Sequence, residues 1–273
     1  MIGRVNLGSH SLQVYVDGPE GAPWLILSNS LGASAAMWGP QISALSSNFR
    51  VLRYDTRGHG KSDVPEGPYS FDQLVGDVIG LMDELGIETA QFMGLSKGGM
   101  TGLGLALSHP DRIERVICAD ARSDAPPAFK TMWDQRISLV QEHGMKGVID
   151  GTMASWFTPE WTDANPQAAK EIRQMVLSNQ PAGYIACCRA LQNLDYFKDL
   201  PKITLPVLYI GGSLDKAASP EIMQAMADAT PGARYAEIPG AAHLANINAS
   251  KAYNDLALDF LVADEPVAVA DQA

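Results

Sequence analysis

A serine between two glycines offers the clearest chemistry in this 273-residue chain. Gly94 and Gly98 flank Ser96, an apolar run precedes them, and a stretch of small residues follows. A tight turn from a strand into a helix has no room for side chains two residues before and after the serine. The pattern therefore predicts that Ser96 is a nucleophile at the end of a strand, where the N-terminus of the next helix favours developing negative charge.

A serine nucleophile needs a general base, and histidine has a suitable pKa at neutral pH. His243 follows the strand-like run 234–238 and lies far downstream of Ser96, as the chain order serine, acid, histidine requires. We therefore predict that His243 is the base. Structural or surface roles are expected for the other four histidines, which are His10, His59, His109 and His143.

The histidine in turn needs an acid that accepts from its ring and stabilises the imidazolium. Asp215 comes shortly after the apolar run Val207–Ile210 and lies between Ser96 and His243 in the chain. Asp120 is the alternative, because it directly follows another apolar run, Val116–Ala119. Asp215 is the preferred acid, and both remain open from the sequence alone.

The elements around these residues predict an α/β fold with a mostly parallel, doubly wound sheet. Continuous apolar runs of four or five residues are typical of strands that are buried on both faces of a parallel sheet. Helical patterns alternate with them, notably over 71–85 and 98–108. Residues 3–17 alternate in character around a short turn and predict an antiparallel hairpin. The predicted buried strands are 24–27, 51–55, 90–93, 116–119 and 207–210, and 234–238 is a further strand-like run.

One long stretch breaks the alternation of strands and helices. Between about 125 and 200 there is no strand-like run, and prolines separate several helical patterns. We therefore predict a core from residues 1–124 and 201–264, a helical cap from 125–200 and a loose tail from 265–273. The predicted cap helices are Trp133–Glu142, Met145–Trp156, Pro166–Ser178 and Ala182–Leu194.

Four motifs occur in an order that resembles the α/β-hydrolase superfamily. They are Asn29-Ser30-Leu31-Gly32, Asp55-x-Arg57-Gly58-x-Gly60-x-Ser62, Gly94-Leu95-Ser96-Lys97-Gly98-Gly99 and Gly240-Ala241-Ala242-His243. Within that superfamily the chain resembles the 3-oxoadipate enol-lactonases of aromatic catabolism. This finer resemblance rests on Met37-Trp38 after the first motif, and on Trp133-x-x-Arg136-Ile137 leading through Gly144-Met145 to Trp156-Phe157-Thr158.

The resemblance implies a serine hydrolase of esters or lactones that works through an acyl-enzyme. It also implies an oxyanion hole made by the backbone N–H groups of Leu31 and Lys97. An enol-lactone of a dicarboxylic acid keeps one free carboxylate, for which Arg136 is the expected partner, with Trp133 and Trp156 as apolar walls. The alternatives are a general carboxylesterase or a perhydrolase with the same triad, and a non-catalytic binding protein on this fold.

The overall composition limits the other possibilities. A net charge of −11 argues against nucleic acid and anionic membrane surfaces as partners. The three cysteines, Cys118, Cys187 and Cys188, have no metal-like spacing, and neither a signal-like start nor a long apolar run is present. We therefore expect a cytoplasmic enzyme with a small-molecule substrate and no metal or organic cofactor. The sequence leaves its oligomeric state open.

Overall fold

The computed structural model describes residues 2–263, which form an eight-stranded sheet with flanking helices. The strand order is β1-β2-β4-β3-β5-β6-β7-β8. Strand β2 runs antiparallel to β1 and to β4, and all other neighbours are parallel. The strands are β1 (Ile2–Asn6), β2 (Ser11–Asp17), β3 (Trp24–Ser28), β4 (Arg50–Tyr54), β5 (Ala90–Leu95), β6 (Ile113–Ala119), β7 (Val207–Gly212) and β8 (Arg234–Ile238).

The inner strands are the apolar runs of the sequence. Every residue of β5 and of β7 is buried, as expected for parallel strands covered on both faces. Strand β8 lies at the edge of the sheet and is mostly half-buried or exposed. The predicted fold class is therefore confirmed, and so are the antiparallel hairpin at the N-terminus, the five predicted buried strands and the strand-like run 234–238.

Six helices pack around this sheet, outside the long segment between β6 and β7. Helix α2 begins after Ser70, whose hydroxyl and the Gln73 side chain form a reciprocal capping box. Helix α3 follows β5 directly and packs against β5 and β6. The six are α1 (Gly39–Leu45), α2 (Phe71–Glu84), α3 (Lys97–Ser108), α9 (Pro220–Ala229), α10 (Ala245–Asn248) and α11 (Ser250–Leu261).

Five further helices follow one another between β6 and β7, in residues 125–200, which we call the cap segment. They are α4 (Pro127–His143), α5 (Ile149–Trp156), α6 (Pro159–Ala164), α7 (Pro166–Leu177) and α8 (Pro181–Gln192). The predicted helices 166–178 and 182–194 match α7 and α8 within one or two residues. Helices α4 and α8 pack against each other.

Three details of the cap segment differ from the sequence prediction. Helix α4 begins at Pro127 and not at Trp133, because proline fits the first helical position and the first turns bury no apolar residue that would show a period. The predicted helix 145–156 is divided by a 3-10 helix over Gly144–Gly147, where a Cβ on Gly147 would lie 2.6 Å from the Leu139 carbonyl oxygen. Helix α6 was not predicted, since none of its residues is buried.

The remaining expectations concern the C-terminal tail, membrane-spanning helices and the cysteines. The predicted loose tail 265–273 lies outside the described residues. Within residues 2–263, no helix is long and apolar enough to cross a membrane. All three cysteines are buried and unpaired.

Candidate active site

Ser96 lies in a strained turn between β5 and α3. Its φ of 56° and ψ of −118° belong to a region that non-glycine residues rarely adopt. A Cβ on Gly94 would lie 2.1 Å from the Gly98 carbonyl oxygen, and a Cβ on Gly98 would lie 2.0 Å from that of Ser28. Both glycines are therefore required by close backbone approach, and the turn presents Ser96 at the N-terminus of α3.

His243 and Asp215 meet at the ends of two neighbouring strands. The Asp215 Oδ2 lies 2.7 Å from His243 Nδ1, and the Asp215 Oδ1 accepts from the backbone N–H groups of Ala217 and Ala218. Because Nδ1 faces the carboxylate, Nε2 is the nitrogen left to face a nucleophile. Ser96 and His243 line the same cavity. In the described part of the chain Ser96 Oγ has no hydrogen-bond partner, and such bonds often close only when substrate binds.

Charge and burial oppose each other in this pair. Burial alone would raise the pKa of Asp215, but the charge and hydrogen bond of His243 outweigh it and hold the pKa of the carboxyl below its usual value. Burial alone would lower the pKa of His243, but the charge and hydrogen bond of Asp215 raise it above its usual value. The pair therefore favours an imidazolium next to an ionised carboxylate, which is the state that proton transfer from a serine creates.

Asp120, the alternative acid, occupies a different position. It follows β6, is fully buried and has a φ of 44°. Its Oδ1 accepts from the Gly212 N–H at 2.8 Å, and its Oδ2 accepts from the Ala245 N–H at 3.4 Å. Burial and the neighbouring Asp215 charge raise the pKa of Asp120 well above its usual value. The geometry therefore gives the contact with His243 to Asp215, while Asp120 joins the ends of β6 and β7 to α10.

The two predicted oxyanion donors are the backbone N–H groups of Leu31 and Lys97. Lys97 is the first residue of α3, so its N–H has no partner within the helix. The Leu31 N–H has no acceptor among residues 2–263, and Leu31 lines the cavity with Ser96. The next residue, Gly32, has a φ of 82°, and its N–H donates to His59 Nε2 at 3.0 Å. His59 thus holds the loop that carries Leu31.

The side chains of His59 and Lys97 are both titratable and both buried. Burial, and then the charge of Lys97, lowers the pKa of His59 to about 3, so its Nε2 is free to accept. The Lys97 side chain is also buried, and burial lowers its pKa. No carboxylate within residues 2–263 forms an ion pair with Lys97.

Residues of the cap segment line a mostly apolar cavity of about 90 Å³ together with Ser96 and His243. The predicted residues Trp133, Arg136 and Trp156 all line it. The Arg136 guanidinium lies 5.6 Å from the Trp133 ring centroid and donates to two hydroxyl oxygens, those of Thr152 and Tyr184. Among the described residues no carboxylate pairs with Arg136, so this cavity contains a cation that lacks an anion.

Several lining residues were not found from the sequence. Tyr184 of α8 and Phe129 of α4 belong to helices that meet only in the folded chain, and no local motif marks them. Arg122 is a second cation in the wall, with its guanidinium 4.9 Å from the Phe129 ring centroid and 3.3 Å from the Asp124 carboxylate. One indication of Arg122 is present in the sequence, which is its position three residues after the predicted strand Val116–Ala119.

No cluster of His, Cys, Asp and Glu in residues 2–263 could hold a metal ion.

Known proteins match this chain over most of its length. The profile of a family described as alpha/beta hydrolase fold matches residues 23–250. The 3-oxoadipate enol-lactonase 2 of Acinetobacter baylyi is 36% identical over 87% of this chain and 88% of its own. A putative carbamate hydrolase RutD of a Caulobacter species is 32% identical over 87% and 90%. The crystal structure of the enol-lactonase from Burkholderia xenovorans superposes with a TM-score of 0.92, at 40% identity over 96% of this chain and 100% of that one.

Proposed function

Because this chain belongs to the alpha/beta hydrolase family, we propose that it cleaves a carboxylic ester or lactone through an acyl-enzyme on Ser96. Its preferred substrate in this proposal is an enol-lactone with a free carboxylate, of the kind named for its relatives, 3-oxoadipate enol-lactone. The observation that carries the proposal is the 2.7 Å contact between His243 and Asp215 beside a cavity that Ser96 also lines.

In the first half of the reaction, His243 Nε2 takes the proton of Ser96 as Oγ attacks the lactone carbonyl. The developing oxyanion accepts from the N–H groups of Leu31 and Lys97, and one such donor typically contributes about 3–4 kcal/mol. The bond between the carbonyl carbon and the enol oxygen then breaks. His243 gives its proton to that oxygen, and the enol, which stays attached to the acyl chain because the lactone ring has opened, becomes a ketone.

In the second half, a water molecule is the nucleophile and attacks the acyl-enzyme. His243 takes a proton from the water, and the hydroxide adds to the acyl carbon under the same two backbone N–H groups. The ester bond to Ser96 breaks, and Ser96 recovers its proton from His243. Asp215 stays ionised throughout and stabilises the imidazolium in both halves. Every step uses groups of this chain and water.

The substrate preference rests on Arg136. Its two side-chain partners, Thr152 and Tyr184, are neutral hydroxyls, so the charge of the guanidinium is not balanced by a direct ion pair. A substrate carboxylate in the cavity would supply that missing charge, and arginine is suited to carboxylates. The net charge of −11 disfavours long-range attraction of an anion, so the local cation has to provide the selectivity.

A hydrolysis panel tests the proposal in two separable parts. Ser96→Ala is expected to abolish turnover of the anionic enol-lactone, a neutral alkyl enol-lactone and p-nitrophenyl acetate alike. An active-site phosphonate should label the wild type at Ser96 and leave Ser96→Ala unlabelled. Full activity of Ser96→Ala would refute the nucleophile, and the absence of any adduct in the wild type would favour a binding protein.

The second part concerns the carboxylate. Arg136→Met is expected to lower kcat/KM for the anionic lactone by about 10- to 100-fold, as for loss of a charged hydrogen bond, while the neutral lactone changes little. Arg173→Met is the matched control, because Arg173 is an arginine of the same cap segment that pairs with Asp150 at the surface. Equal effects on both lactones would refute the role of Arg136 as the carboxylate partner.

A further inference from the structure

The buried hydroxyl of Tyr184 accepts hydrogen bonds but donates none within the described residues. The ring is 2% exposed, and the oxygen accepts from Arg136 Nε at 3.2 Å and from Arg136 Nη2 at 3.0 Å. These two donors occupy both lone pairs of the oxygen. The O–H of Tyr184 itself has no acceptor among the described residues, although Tyr184 lines the cavity. A buried hydroxyl without an acceptor is costly, and such a donor is often completed by a ligand.

The hydroxyl remains a donor over the working pH range. Burial, which outweighs the opposing charge of Arg136, raises the pKa of Tyr184 to about 12. Arg136 has unused donors as well. Its Nε and Nη2 are occupied by Tyr184 and Thr152, whereas its Nη1 has no acceptor within residues 2–263. One tyrosine and one arginine thus offer three unpaired hydrogens beside the cavity.

The ring of Tyr184 also lies beside the loop that carries Leu31, the proposed oxyanion donor. A Cβ on Gly32 would lie 3.4 Å from Tyr184 Cε2, the ring carbon next to the one that bears the hydroxyl. Gly32 is itself held by His59 at its N–H and by Asn179 at its carbonyl oxygen. The Tyr184 side chain therefore reaches from the cap guanidinium to the oxyanion loop.

We propose that the Tyr184 hydroxyl and Arg136 Nη1 together bind the substrate's carboxylate, so that Tyr184 is a specificity-determining residue that contacts substrate. The inference rests on the proposed function, since it assigns a second donor to the same anion. A carboxylate accepts well from a hydroxyl and a guanidinium at once. The chemical class selected is an ester or lactone that bears one further carboxylate, and neutral esters gain nothing from the Tyr184 hydroxyl.

Tyr184→Phe tests this directly, because it removes the hydroxyl and leaves the ring against Gly32. For the anionic enol-lactone, kcat/KM is expected to fall by about 10- to 100-fold. For a neutral alkyl enol-lactone it should stay within about twofold, since the oxyanion loop keeps its packing. Tyr209→Phe is the matched control, because Tyr209 is an equally buried tyrosine that bonds Thr230 away from the cavity. Unchanged turnover of both lactones, or an equal loss on both, overturns the proposal.

A second arm separates substrate contact from support of Arg136. In the Arg136→Met background, Tyr184→Phe is expected to lower turnover of the anionic lactone further if its hydroxyl touches the carboxylate. No further loss would show that Tyr184 acts only by holding Arg136, which overturns the direct contact. This failure differs from failure of the proposed function, because Ser96→Ala would still abolish hydrolysis of both lactones.

Discussion

The buried His59 makes the stability of this protein depend on pH in a direction that the structure fixes. Its Nε2 accepts from the Gly32 N–H, which requires an unprotonated nitrogen there, and its Nδ1 faces the Arg57 carbonyl oxygen at 3.3 Å. Burial, and then the charge of Lys97, lowers its pKa from 6.5 to about 3. Between these two values the unfolded chain holds a proton on this residue that the folded chain does not.

The sign follows from proton linkage. Where the unfolded state binds more protons, the free energy of unfolding rises with pH, so His59 stabilises the fold fully above its unfolded pKa of 6.5. That contribution is lost as the pH falls toward 3. Between about pH 7.5 and about pH 5.5, the loss from this single group is about 1.4 kcal/mol. Most carboxylates titrate below this range, and Asp120, whose pKa is raised, is present in both proteins of the comparison below and cancels there.

Urea denaturation of wild type and His59→Gln at both pH values measures the effect. Glutamine can still accept from Gly32 through its amide oxygen and cannot be protonated, so this variant should lose about 1.4 kcal/mol less than wild type over the interval. His243 titrates in both proteins and cancels in the comparison. His143→Gln is the matched control, since His143 is exposed. An equal pH dependence in wild type and His59→Gln would refute the reasoning.

Two further predictions concern the site itself. The acid limb of the pH dependence of kcat/KM should have its midpoint above 6.5, because Asp215 raises the pKa of His243 and only the neutral imidazole is a base; a midpoint below 6.5 in wild type would contradict this. Lys97→Met should keep turnover within about twofold and raise the urea midpoint, because the backbone N–H remains and a buried amine without an ion-pair partner is replaced by an apolar chain. A large loss of kcat would assign the Lys97 side chain a role in the chemistry.

The sheet was predictable because each inner strand has a local signature. Continuous apolar runs such as the one before Ser96 are long enough for a strand and too short for a helix, and turn residues bound them. The start of α4 was not predictable in the same way. Its buried residues, Ile137 and Val140, lie in its second half, so the first half has no hydrophobic period. Helix α6 buries no residue at all and therefore leaves no such trace.

Some residues of the candidate site could be predicted from their order along the chain, and others are brought together only by the fold. Ser96, His243 and Asp215 each follow a strand, and the carboxyl ends of parallel strands meet at one edge, so their proximity could be predicted from order along the chain. Tyr184 reaches Arg136 only because α4 and α8 pack together, which depends on tertiary contacts 48 residues apart. The choice between Asp215 and Asp120 likewise needed the fold, since both follow strands next to each other in the sheet.

The two hydrogen bonds of Asp120 have a consequence for how a substrate enters. Because Asp120 ties the end of β6 to Gly212 in β7 and to Ala245 in α10, the loops that carry Asp215 and His243 are cross-linked at their base. This side of the site cannot widen unless the two buried hydrogen bonds of Asp120 break. Residues of α4 and α8 also line the cavity of this site. We therefore expect that any widening needed to admit substrate or release product occurs on the α4–α8 side, while the reacting groups keep their spacing.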